Sequence, residues 1–316
     1  MRRRIAAALG AVVLLVFGTR FVCHWWSSAP EYAHAMAPGA LLVAGDFQRT
    51  AWFERAIGRE QNDEARETLI DALVAEPAGG LLLLGDLVFD GSTCGDWAAF
   101  DALVAPLRDR GVALALGNHD YWGPNVAACR HVRERFPWLA AETWEVVRWG
   151  RVALVVLDSN PGEMDAWETQ REWFGETLST LEEDASCRAV IVATHHPPYT
   201  NSAVTSDEPH AQELAAALEG HRKPLLFLSG HAHAYEHFVV DELHYVVSGG
   251  GGGPRVRLLR GAEQRHVDHF EGPSPRPFHY LRLRERSGGV QVEAVGFQPG
   301  DEAEVFDQFL LPWPAE

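Results

Sequence analysis

The sequence predicts an α/β fold in which apolar sheets are covered by helices. Short continuous apolar runs recur through the first three quarters of the chain, stretches with helical spacing separate them, and strand-like segments dominate after residue 238. A strand buried on both faces reads as an unbroken apolar run. Helices alternating with such runs imply sheets with helices packed on them.

In chain order, residues 41–46 form the first apolar run, which ends in Gly-Asp. Residues 62–75 have helical spacing, with Asn62 or Asp63 as N-cap. Residues 80–86 carry four consecutive leucines and again end in Gly-Asp. A helix is expected over 96–110. The strand 112–116 runs into Gly-Asn-His-Asp, and a helix follows over 126–136. Residues 143–149 and 151–159 form a hairpin turning at Gly150. A long helix over 165–184 precedes the strand 189–194, which ends in His-His-Pro-Pro. A helix over 209–219 precedes the strand 225–229, which ends in Gly-His-Ala-His. Strands are then expected over 238–247, 280–286 and 290–297. The segment 249–277 is rich in Gly, Pro and Arg and too long for a routine connection, so it reads as a functional or mobile loop.

Composition narrows the function. With 47% hydrophobic and 22% charged residues among 316, the chain is an ordinary packed protein. The formal charge of −17 opposes non-specific binding to a phosphate backbone, so no nucleic-acid partner is expected. A small phosphorylated substrate stays compatible, because a bound metal overrides the global field locally. Four cysteines and no Cys-x-x-Cys exclude a disulfide scaffold, a cysteine zinc site and a thioredoxin-like motif. There is no Gly-x-Ser-x-Gly elbow and no His-Glu-x-x-His helix, so serine hydrolase and zincin readings lack support.

The N-terminus reads as an address. Arg2, Arg3 and Arg4 precede an uncharged run over 5–18, and Ala33, Ala35 and Ala37 follow with Ala-x-Ala spacing. Residues 1–36 are therefore expected to be a cleaved signal peptide or an uncleaved anchor, with Trp25 and Trp26 at the interface. Residues 37–316 form one domain exported from the cytoplasm, periplasmic, secreted or membrane-anchored. Cys23 is not in a convincing lipidation motif. Export permits a disulfide, with Cys94 and Cys129 the pair to consider against three thiols.

The chemistry lies where the runs end. Five ends carry metal-capable residues: Asp46, Asp86, Asn118-His119-Asp120, His195, and His231 with His233. In α/β proteins ligands gather at the carboxyl ends of strands, and no one segment could supply so many donors. A single Gly-Asp is a turn; five such ends together are not explained as turns.

These ends resemble the ordered motifs of the calcineurin-like metallophosphoesterases. They read Gly45-Asp46-Phe47-Gln48, Gly85-Asp86, Gly117-Asn118-His119-Asp120, His195-His196-Pro197-Pro198 and Gly230-His231-Ala232-His233. The last two, extended by Tyr199-Thr200-Asn201-Ser202 and Ala234-Tyr235-Glu236, resemble the purple acid phosphatase branch. The resemblance covers about residues 40–250 and implies a four-layer αββα sandwich of two mixed sheets flanked by helices. It also implies two divalent or trivalent ions: one on Asp46, Asp86 and His233, the other on Asp86, Asn118, His195 and His231, with Asp86 bridging. Such donors suit manganese, iron or zinc. Two metals about 3.5–4 Å apart can hold a bridging hydroxide for in-line attack at phosphorus. His119 is then the general acid and Asp120 its orienting partner. Of the adjacent histidines, only one faces the metals if the segment is extended, and the family aligns His195.

Two departures stand out. Gln48 replaces the histidine common in the first motif; its carbonyl oxygen can still ligate. Phe89 stands where purple acid phosphatases carry a tyrosine ligand, so no tyrosinate-to-iron colour is expected. Weaker candidates are Arg49, which could reach a substrate phosphate or be a salt-bridged surface group, and Tyr199, at the pocket rim or packed. Tyr121 and Trp122 can stack on a leaving group or pack. The segment 58–63 can line the pocket or start a helix. The five glycines in 248–253 lack the Lys-Ser/Thr of a phosphate loop and read as a flexible turn near the metals.

The function expected is metal-dependent hydrolysis of phosphate esters, monoester or diester. The alternative is an inactive metal- or phospho-ligand-binding module of the same fold, motivated only by Gln48.

Overall fold

The computed structural model describes residues 29–160, 162 and 166–315. Residues 1–28, which carry most of the proposed address, lie outside the described residues. In chain order the elements are β1 (Ala40–Ala44), α1 (Trp52–Ala56), α2 (Asp63–Ala75), β2 (Ala78–Leu83), α3 (Cys94–Leu103), β3 (Gly111–Leu114), α4 (Asn118–Tyr121) and α5 (Asn125–Arg135). Then come β4 (Glu145–Trp149), β5 (Val152–Val156), α6 (Trp167–Glu183), β6 (Ala189–Ala193), α7 (Pro209–Ala216), β7 (Pro224–Ser229), β8 (Tyr235–Val240) and β9 (Leu243–Ser248). The last are β10 (Phe278–Arg286), β11 (Gly289–Phe297) and β12 (Glu304–Pro312).

Two six-stranded mixed sheets result. The first has the order β12-β11-β10-β1-β2-β3, with β1, β2 and β3 parallel and the other pairs antiparallel. The second has the order β4-β5-β6-β7-β9-β8, parallel from β5 to β9 and antiparallel at both edges. Alternation along each strand sorts its side chains into layers. Leu41 and Val43 of β1 meet Val152, Leu154 and Ile191 between the sheets, whereas Leu42 and Ala44 face α2 and α3. On the second sheet Ala153 and Val155 face α6 and α7. The central strands are thus covered on both sides, the arrangement expected of an αββα sandwich.

Several expectations are revised. Residues 238–247 are not one strand: β8 and β9 form a hairpin that turns at Asp241 and Glu242, both in the left-handed region (φ 49° and 68°). The helix expected over 96–110 stops at Leu103, where a short 3₁₀ turn carrying Pro106 takes over. The long helix starts at Trp167; Asp165 lies outside the described residues. Segment 249–277 is pinned. Leu258 bridges to Ser202, Arg255 pairs with Glu60, and Arg276 pairs with Asp268 at 2.5 Å. No disulfide joins Cys94 to Cys129: Cys94 Sγ lies 3.7 Å from His131 Nε2 and Cys129 donates to Asn125 Oδ1.

The structure also draws residues 32–36 into the fold. Tyr32 is buried, stacks on Phe136 at 5.0 Å and donates its hydroxyl to Asp101. His34 Nε2 lies 2.6 Å from Glu145. The folded part therefore begins before the boundary at residue 37. Among the described residues, no helix is long and apolar enough to cross a membrane.

Candidate metal centre

The carboxyl ends of β1, β2 and β3 on one sheet, and of β6 and β7 on the other, open on the same edge of the sandwich. Each parallel strand delivers its motif residues just past its last ladder bond. At three of these ends the chain turns through the left-handed region at a non-glycine residue: Asp46 (φ 64°), Asp86 (φ 52°) and His231 (φ 65°). Gly85 is needed before Asp86. Its φ is 87°, and a Cβ there would lie 2.5 Å from Gly117 N and 2.7 Å from His195 Nδ1.

Two groups of donors form around Asp86. In the first, Asp46, Asp86 and His233 offer ligand atoms within 4.8 Å of one another. His233 Nδ1 lies 2.9 Å from the Pro254 carbonyl and therefore carries the proton, which leaves Nε2 as a lone pair 3.3 Å from Asp46 Oδ1. Gln48 completes this group. Its amide nitrogen donates to Asp86 Oδ2 at 3.2 Å and lies 2.9 Å from His233 Nε2, while its Oε1 is buried without a partner.

In the second group, His195 Nδ1 faces the Leu84 carbonyl at 2.6 Å, so Nε2 is again the free donor. It lies 3.2 Å from Asn118 Oδ1, 3.4 Å from Asp86 Oδ1 and 3.2 Å from His231 Nδ1. His196 belongs to the same cluster: His195, His196 and His231 offer ligand atoms within 4.8 Å of one another. The expectation that only one of the adjacent histidines points inward fails because β6 ends at Ala193 and the chain bends at both. Ser159 Oγ holds His196 Nδ1 at 2.9 Å.

These donors fit a pair of cations. Imidazole nitrogens, carboxylates and side-chain amides from five strand ends converge within a few ångströms, and Gln48 Oε1 is a buried acceptor with no hydrogen-bond partner. The electrostatics agree. At His195 burial opposes the charge, but Asp86 and Asp46 outweigh it and lift the ring to about 9. At His233 burial is likewise outweighed, by Asp46. His196 is pushed down to about 3 and His231 well below the usual range, by burial and then by repulsion from His195. The Asp86 carboxyl is held very low: burial works the other way, but His195 and His119 prevail.

His119 sits beside this centre. Its backbone N–H donates to Asp86 Oδ1 at 2.8 Å. Its Nδ1 lies 2.6 Å from the Phe89 carbonyl and so carries a proton, leaving Nε2 for proton transfer. Asp120 does not orient this ring. Its carboxylate accepts three backbone N–H bonds instead, from Asp86, Leu87 and Gly117 at 2.9–3.0 Å. Burial and the neighbouring Asp86 charge raise it to about 7 despite those donors. Asp120 is a clamp on the two turns that carry Asp86 and Asn118, and the orienting group that sequence reasoning missed is a main-chain carbonyl, which leaves no residue-type signal.

The weaker candidates separate. Arg49 is half-exposed and 3.7 Å from Asp63. Tyr199 packs edge-on against Tyr245 and His266, so packing accounts for it. Tyr121 is buried and donates to Asp158, whereas Trp122 is exposed against His119. Glu60, in the segment 58–63, pairs with Arg255, and α2 starts at Asp63. The glycine run closes over the first donor group: Gly251 N and Gly253 N donate to the carbonyls of Gly45 and Asp46 at 2.9 and 2.7 Å.

Comparisons with known proteins place this geometry. No curated protein matches the sequence. The fold is similar to that of the purple acid phosphatase PPD1 from yellow lupin (Lupinus luteus) seeds, with TM-score 0.65 and 17% identity over 89% of this chain. This chain spans 55% of that protein. It is similar to GAP50, the anchor in the inner membrane complex of Plasmodium, with TM-score 0.64 and 13% identity over 88% of this chain and 89% of the other. It is also similar to a dimetal phosphatase from Danio rerio, with TM-score 0.59 and 13% identity over 87% and 98%. These likenesses concern the fold alone. The model of the calcineurin-like phosphoesterases matches residues 39–235, from the start of β1 to the last histidine motif, and the chain belongs to that family of metallophosphoesterases.

Proposed function

We propose that this protein hydrolyses phosphate esters at a centre holding two metal ions, with His119 as general acid. The carrying observation is the pair of donor groups that share Asp86, with His119 fixed by its own backbone to the same carboxylate. Asp46, Gln48, Asp86 and His233 would hold one ion, and Asp86, Asn118, His195 and His231 the other. Two such ions supply Lewis-acid stabilisation of the phosphoryl oxygens and activation of water at neutral pH. The donor set suits manganese, iron or zinc.

The residues of the chain supply the rest. Water adds to phosphorus and gives up a proton to solvent, the ester P–O bond breaks, and the leaving oxygen takes a proton from His119 Nε2, which is reprotonated from solvent before the next turnover. The Phe89 carbonyl keeps Nδ1–H in place throughout, so the ring neither flips nor changes tautomer when it loses that proton. Asp120 keeps the Asp86 and Asn118 turns in register, and Ser159 does the same for His196.

The fold does not choose between a hydrolase and an inactive binding module; the donors and His119 favour the hydrolase. We also propose export, on the basic and then apolar N-terminal sequence. The test is metal analysis with p-nitrophenyl phosphate and its bis ester, with and without chelator. Two bound metals with chelator-sensitive turnover support the reading, and the ratio of the two rates separates monoesterase from diesterase. Two metals without turnover favour the binding module, and no bound metal refutes the centre.

A further inference from the structure

His119 stands at one end of a partly exposed aromatic wall. Its ring lies 4.7 Å from Trp122 and 4.9 Å from Phe89, which stacks on Trp122 at 5.7 Å. Phe89 continues edge-on to Phe53 at 5.7 Å, and Phe53 to Trp52 at 5.9 Å. Trp52 and Ile57 are more than 70% exposed, Trp122 is 50% exposed and Phe53 44%. The connection between β1 and α2 thus offers apolar side chains to solvent next to the proposed proton donor, where their exposure to water is unfavourable.

We infer that this wall binds the leaving group, and that the preferred substrates are phosphate esters whose alcohol is bulky and apolar. The inference rests on the proposed hydrolase, because the leaving group is defined as whatever His119 protonates. The group that takes the proton must lie within hydrogen-bond reach of His119, so the carbons attached to it are brought against Trp122 and Phe89. Apolar area is then removed from water on both partners. A planar ring would stack on Trp122, and an alkyl chain would run along it towards Phe53; both share the same apolar chemistry.

The test separates binding from turnover. The metal-loaded protein is titrated calorimetrically with ethyl-, hexyl- and naphthylphosphonate, which cannot be hydrolysed as esters. A fully buried methylene contributes about 0.8 kcal/mol, and a wall covers one side only, so hexyl is expected to bind roughly tenfold tighter than ethyl. In Trp122→Ala and in Phe53→Ala that ratio should shrink to about twofold. Trp52→Ala, at a mostly exposed position, serves as the variant least exposed to folding defects and should reduce the ratio partially. A naphthyl preference over hexyl identifies a ring-bearing leaving group; the reverse identifies a chain. Equal affinity of ethyl and hexyl overturns the inference, as does a loss in the variants that is the same for both probes. A hexyl preference in a protein that turns over no ester would leave the wall standing as a ligand site and overturn the hydrolase instead.

Discussion

Gly253→Ala tests whether the glycine run exists to let the chain close on the first donor group. A Cβ at residue 253 would lie 2.6 Å from His233 Cε1, 2.8 Å from Nδ1 and 2.9 Å from Nε2, so it meets the ring rather than its edge. Ordinary contact begins near 3.4 Å, and the ring must therefore move by most of an ångström or strain the loop. If it moves, the 2.9 Å bond from Nδ1 to the Pro254 carbonyl is lost, and with it the tautomer that leaves Nε2 free. Disturbing such a supporting partner typically lowers metal affinity about 10–100-fold. If the ring holds, overpacking costs about 1–3 kcal/mol of stability. The assay is a competitive metal titration with a chromophoric chelator, read together with thermal unfolding. The expected result is one site of unchanged affinity and one weakened by at least tenfold. Two sites of undiminished affinity would refute the claim that Gly253 sets the His233 geometry.

The other predictions concern separate contacts. His119→Ala should lower kcat by about 10²–10⁴ while metal stoichiometry stays at the wild-type value, as measured by steady-state rates and metal analysis. Asp120→Asn replaces one acceptor oxygen by a donor that faces backbone N–H groups, at a cost of about 1–3 kcal/mol in unfolding experiments. Glu236 is raised to about 7 by burial, although Thr200 and the Asn201 N–H bond to it. The folded state then holds a proton that the unfolded state releases near the ordinary carboxylate value, so stability falls as pH rises towards 7, and Glu236→Gln should flatten that slope in melting temperature. Tyr32→Ala should destabilise by about 3–5 kcal/mol in denaturant unfolding, since Tyr32 fills the core against Phe136 and binds Asp101.

The ends of the parallel strands were legible because both faces of each strand are covered. Leu41–Val43 and Leu81–Leu84 have to be apolar at every position, so the first polar residue after each run marks a sheet edge. What was hidden has local causes. α1 and α4 are too short to display a helical period, and they are the pieces that hold Trp52, Phe53 and His119. The edge strand β12 is mostly exposed, so its apolar residues do not alternate cleanly. The β8–β9 turn uses Asp241 and Glu242 rather than a glycine pair, so no glycine or proline marks it. An extended backbone would turn His196 away from the site, and the bend after Ala193 brings it back beside His195 and His231. Glu236, read only as part of a motif, ties the Thr200-Asn201 loop to the start of β8.

The same geometry explains why the site needs so large a support. Asp46, Asp86 and His231 hold left-handed backbone angles, each unfavourable by about 1 kcal/mol or more for a residue with a side chain. Their side chains add repulsion among the imidazoles and desolvation of two carboxylates. None of this is relieved within the strand ends themselves. It is opposed by the apolar layers behind them, where Leu41, Leu82, Leu154, Ile191 and Leu228 are almost completely buried. Asp120 and the carbonyls of Leu84, Phe89 and Pro254 then transmit that rigidity to individual atoms. A cation that satisfies both carboxylates offsets their mutual repulsion, so metal binding should stabilise the fold, read as a rise in melting temperature on adding metal, and chelator should reverse it.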